Sequence, residues 1–117
     1  MQSKLGKMQK LVLIYVGVKT KSIGKRYMKR RDLTIGLADI LLEKRENKFY
    51  VAVSQAVTPL TKRGLLSKRG NRIGLTIEGL DTAKHVLDII ERDYGEINWD
   101  TIVKYYNRKE ESYDRQQ

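Results

Sequence analysis

Residues 54–79, SQAVTPLTKRGLLSKRGNRIGLTIEG, restrict the fold more than any other part of this 117-residue chain. They read as the end of a helix stopped at Gly64, a strand over 65–69, a Gly70-Asn71 turn, a return strand over 72–77 and a helix opening after Gly79. Gly64 suits the left-handed position just past a helix C-terminus. Gly-Asn is a favourable two-residue hairpin turn, and Leu65, Leu66, Ile73, Leu75 and Ile77 give the hairpin its apolar residues. Its tip is cationic, with Lys68, Arg69 and Arg72 around Asn71.

The flanking sequence is helical in period. Over 48–63, Phe49, Val53, Ala56, Val57 and Leu60 recur as a core stripe, with Lys48, Val51, Ser54, Gln55, Thr58 and Lys62 opposite and Tyr50 between the faces. Pro59 removes a helical hydrogen bond and crowds the preceding turn, so a kink or an end near Thr58 is expected. Upstream, Asp32 is a candidate N-cap for a helix with Leu33, Leu37, Ile40, Leu41 and Lys44 on one face, closed by a polar turn over 43–47. Residues 20–31 form a basic connector around Gly24. Residues 5–18 carry two signals, a helical stripe of Leu5, Met8, Leu11, Val12 and Tyr15, and a β-branched set of Val12, Ile14, Val16 and Val18. Downstream, 80–94 is amphipathic and stops at Gly95, and Asn98 caps a last helix holding Trp99, Ile102, Val103 and Tyr106. From about 108 no apolar stripe continues, and a frayed tail is expected. The fold class is α+β, mainly α.

Charge is distributed unevenly. Residues 1–31 hold ten Lys or Arg and no carboxylate, and through Glu78 the count is 18 basic against five acidic. From Gly79 onward it is six basic against nine acidic. A basic part that meets a polyanion and a near-neutral part with another task is the expectation. Three regions follow: a basic part over 1–78, C-terminal helices over 79–107, and a tail over 108–117. The longest apolar run, residues 11–18, is too short to cross a bilayer, which needs about 20 residues. No secretory signal is evident, and a cytoplasmic location without membrane attachment is expected. Absence of cysteine removes disulfides, thiolate nucleophiles and cysteine zinc sites, and His85 is the only histidine. No cofactor or metal is expected. Asp39 and Glu43, four apart, are a remote candidate for a magnesium-dependent nuclease.

At this point the chain resembles winged helix-turn-helix DNA-binding proteins, in particular MarR- and PadR-like transcriptional regulators, including the small archaeal, viral and plasmid types. The resemblance rests on Leu60-Thr61-Lys62-Arg63-Gly64-Leu65-Leu66, a basic hairpin over 67–75, and Thr76-Ile77-Glu78-Gly79 opening a helix. It implies a helix over 5–18, a recognition helix over 48–63, a two-stranded β-wing and C-terminal dimerisation helices. Recognition-helix contacts fall to Lys48, Tyr50, Val51, Ser54, Gln55, Thr58 and Lys62. Gln55 can pair with adenine, and Val51 can touch a thymine methyl. Wing contacts fall to Lys68, Arg69, Asn71 and Arg72, and backbone contacts to Lys25, Arg26, Lys29, Arg30 and Arg31. Leu87, Ile90, Trp99, Ile102 and Tyr106 are the expected dimer interface. The functional expectation is a homodimeric, sequence-selective double-stranded DNA-binding repressor that is not an enzyme. The alternative is a protein that coats or bridges DNA in plasmid partition or chromatin organisation. No small-molecule effector is indicated.

Overall fold

Helix α1 (Lys7–Ile23) is the centre of the molecule: Leu11, Val12, Leu13, Ile14 and Val16 are each 2% exposed or less. A helix apolar on nearly all sides must be covered on nearly all sides. That removes the ambiguity of the β-branched run, because burial outweighs a propensity difference of a few tenths of a kcal/mol per residue. The computed structural model describes residues 5–41 and 47–107. After α1 come β1 (Met28–Lys29), α2 (Arg30–Leu41), α3 (Asn47–Lys62), β2 (Leu66–Arg69), β3 (Arg72–Leu75), α4 (Ile77–Tyr94) and α5 (Trp99–Asn107). Helices α2, α3, α4 and α5 and strands β1 and β3 all pack on α1. The class is α+β and mainly helical, with a small antiparallel sheet of order β1-β3-β2.

Several boundaries differ from the sequence reading. The basic stretch 20–31 is structured rather than a connector. Helix α1 runs on to Ile23 and ends in a Schellman turn, with Gly24 N–H donating to Lys21 O and Lys25 N–H to Thr20 O. Asp32 is not an N-cap, because α2 already begins at Arg30; its carboxylate sits in the first turn, where the helix dipole favours it. The hairpin strands are shorter: β2 begins at Leu66, and β3 ends at Leu75 because Thr76 turns the chain into α4 three residues earlier than expected. Thr76 accepts from Gly79 N–H at 3.0 Å and donates to Gly64 O at 2.6 Å. Gly79 is required there: a Cβ would stand 1.9 Å from the Leu65 carbonyl oxygen.

Helix α3 runs unbroken through Pro59 to Lys62. The bond that proline forfeits belongs to the carbonyl of Gln55, a residue on the exposed side of the helix. Past the end, Gly64 adopts φ 78° and its N–H reaches Thr61 O, while Leu65 N–H reaches Leu60 O. Asn98 does cap α5, its Oδ1 accepting from Thr101 N–H at 2.9 Å while Thr101 Oγ1 accepts from Asn98 N–H.

One hydrophobic cluster draws on every helix and strand. It consumes residues expected to bind a second copy. Ile90 is 0% and Ile102 3% exposed, so neither belongs to a free surface, and Leu87, Trp99 and Tyr106 are half-buried against the same cluster. The reason is α1: the apolar stripes of α4 and α5 cover it. Trp99 packs on Tyr15 with ring centroids 5.6 Å apart, and Lys10 Nζ donates to the Tyr105 hydroxyl at 2.8 Å. Lys44 and most of the 43–47 turn lie outside the described residues, as does the 108–117 tail.

Candidate nucleic-acid interface

The outward stripe of α3 is built by its period. Phe49, Val53, Ala56, Val57 and Leu60 turn inward, which leaves Lys48, Val51, Gln55, Thr58 and Lys62 exposed along the helix. Tyr50 is 37% and Val51 52% exposed, large apolar surfaces to leave in water. A shallow depression of about 510 Å³ runs along this face, lined by Asn47, Tyr50, Val51, Ser54, Gln55, Thr58 and Pro59. Asn47 and Pro59 were not anticipated there. The stripe offers an amide, hydroxyls and methyl groups between two lysines, a mixture suited to base edges.

The cationic hairpin is ordered by the sheet. Lys29 of β1 lies opposite Arg72 of β3, which lies opposite Arg69 of β2. Residues directly opposite share a face, so three cations form one row across the sheet. All three are exposed, as are Lys68 and Asn71. The next row along the same face is Tyr27, Gly74 and Ser67. Gly74 is needed because a Cβ would meet the Arg26 carbonyl oxygen at 2.2 Å and the Tyr27 ring at 3.1 Å. Tyr27 crosses that gap to Ser67, oxygen to oxygen 3.0 Å, and Arg69 sits over its ring at 5.6 Å. Met28 and Ile73, alternate residues in the same strands, face the core at 2% and 0% exposure.

Arg30 joins the two surfaces. Its backbone N–H donates to the Asn71 carbonyl in the hairpin turn at 2.8 Å, which satisfies an otherwise orphan first amide of α2. Its guanidinium donates to the Ser54 hydroxyl on α3. Ser54 is therefore held by a protein partner, which the sequence reading did not anticipate. Its oxygen accepts from Arg30 and its own hydrogen stays available. Lys25, Arg26 and Arg31 are exposed near this region, with Lys25 and Arg26 in the segment leading into β1. Residues 47–77 contain no acidic side chain, so nothing in α3 or the hairpin neutralises the cations.

Other features lie away from this surface. His85 is exposed on α4, and Glu43, the partner proposed for Asp39, lies outside the described residues. Among the described residues no three His, Cys, Asp or Glu side chains come together as a metal would need. No described helix is long and apolar enough to cross a membrane. Tyr15, in the core, has its hydroxyl pushed above the usual tyrosine range by burial first and then by the nearby carboxylates Asp32 and Asp39. Tyr27, an aromatic interleaved with the cations of 25–31, has no role of its own in the sequence reading; its contacts with Ser67 and Arg69 come from the sheet. Comparison with protein-family models, with curated proteins and with solved structures gave no match.

Proposed function

We propose that this chain is a winged helix-turn-helix protein that binds double-stranded DNA sequence-selectively and regulates transcription, most simply by occluding a promoter. The element order α1-β1-α2-α3-β2-β3 with sheet order β1-β3-β2 supports the fold reading. In that reading α3 enters the major groove and the hairpin grips the backbone beside it. The observation that carries the proposal is Arg30, which ties the hairpin turn to α3, two elements within a stretch, 47–77, that has no carboxylate. Phosphate contacts from such a surface supply affinity, and α3 supplies discrimination.

The protein has no catalytic role in this reading and acts as a homodimer. Among the described residues, the large apolar side chains left exposed outside α3 are Val18, Ile23, Ile77 and Leu80, at 42%, 42%, 79% and 42%, rather than the buried Ile90 and Ile102. From Gly79 onward, Leu80 included, the chain carries six basic against nine acidic side chains, so that part adds little repulsion between two copies.

The test is selection of bound fragments from random duplex DNA, followed by titration of the selected site. A discrete site with two related halves is expected, whereas protection that lengthens continuously with concentration indicates coating. Gln55→Ala should weaken binding to the selected site by about 1–3 kcal/mol and leave random DNA almost unaffected. Equal loss on both would remove α3 from base reading.

A further inference from the structure

We propose that the hairpin meets DNA through the outer face of the three-stranded sheet, with Lys29, Arg72 and Arg69 laid along a phosphate backbone. This rests on the duplex-DNA reading above and adds the mode of contact.

Three observations converge on it. The first is register: Lys29, Arg72 and Arg69 stand opposite one another, whereas Lys68 stands opposite Ile73 and so belongs to the core-facing side. The second is width. Strands lie about 4.8 Å apart, so a row across three of them spans roughly 10 Å. That exceeds the minor groove of about 6 Å, and in this reading α3 fills the major groove of about 12 Å, which leaves the phosphate backbone between them for this face. The third is the platform beneath the row. Tyr27 is fixed by Ser67 and by its passage over Gly74, and its ring carries the Arg69 guanidinium.

Among the described residues no carboxylate pairs with Lys29, Arg69 or Arg72. Directly opposed like charges are unfavourable in a free sheet. A line of phosphates relieves that repulsion, and counterion release adds to the gain. Arg30 starts where the row ends and continues the surface towards α3. Tyr27 is therefore a positioning residue, acting through Arg69.

The experiment measures the salt dependence of affinity for a labelled random-sequence duplex. Lys29→Ala, Arg69→Ala and Arg72→Ala should each flatten the slope of log K against log salt by about one, and Lys68→Ala should flatten it less than any of them. Tyr27→Leu should behave like Arg69→Ala, and the double variant should be no worse than either alone. Tyr27→Phe, which keeps the ring, should bind nearly as the native chain does, with circular dichroism and thermal midpoints reporting that each variant is folded. Should Lys68→Ala flatten the slope as much as the other three, the tip and not the face makes the contact. Additive losses in Tyr27→Leu/Arg69→Ala would overturn the positioning role. A native chain that binds no duplex at any salt overturns the DNA reading itself, a result distinct from either.

Discussion

Arg30 begins α2, gives its amide to the hairpin turn and sends its guanidinium to Ser54 on α3, 24 residues away. Spacing along the helix was enough to place Gln55, Val51 and Thr58 on the exposed side of α3, because burial of the opposite stripe leaves no other arrangement. It was not enough for Ser54, whose partner is set by tertiary structure. Tyr15 gives a pH-dependent test of the packing. Its hydroxyl ionises above the ordinary tyrosine range because burial, and then Asp32 and Asp39, disfavour the phenolate. Below the unfolded-state pKa of about 10 the group is neutral in both states and has no effect on the pH slope. Above it the unfolded chain loses the proton first, so stability falls as pH rises. Denaturant midpoints of the native chain and Tyr15→Phe, compared at about pH 8 and about pH 11, should move in favour of the phenylalanine variant at the higher pH. An unchanged difference between the two proteins would contradict this.

Strand β1 was the element hardest to read in advance. Two residues carry no period, and the only sign was Met28, an apolar side chain among cations that proves to be 2% exposed. The hairpin was legible because its turn chemistry is local: Gly64, Gly70-Asn71 and the alternating apolar residues all act within a few positions. What the hairpin pairs with was not. Once β1 adds Lys29 beside Arg72 and Arg69, the sheet holds a like-charge row that weakens it. Arg72→Thr should raise the stability of the free protein by about 0.2–1 kcal/mol while weakening DNA binding. Added salt should stabilise the native chain more than the variant, because screening relieves the repulsion that the substitution removes. A variant that is less stable than the native chain in low salt would argue against the row.

At the scale of the whole molecule the decisive element is α1, whose central segment, residues 11–16, is buried on all sides and determines what the other helices do. Stripes on α4 and α5 whose residues the sequence reading assigned to a dimer interface pack on it instead, since nothing in a linear pattern shows how many sides of the first helix need a neighbour. Among the described residues outside α3, exposed apolar side chains remain at the end of α1, Val18 and Ile23, and at the start of α4, Ile77 and Leu80. Ile77→Glu should shift a dimer to monomer in sedimentation without unfolding the chain, because Ile77 is 79% exposed and outside the core. A mass unaffected by the change would remove that surface from self-association. Two bound copies would set their α3 helices in successive major grooves, about 34 Å apart. The central claim is that α3 and the cationic sheet form one DNA-binding surface through Arg30. Amide chemical shifts followed while a short duplex is added test it most directly. Signals from residues 50–58, from Lys29 and Arg30, and from 67–72 should move together at one affinity, with the α5 signals stationary. Movement confined to α4 and α5, or two groups titrating at separate affinities, would contradict it.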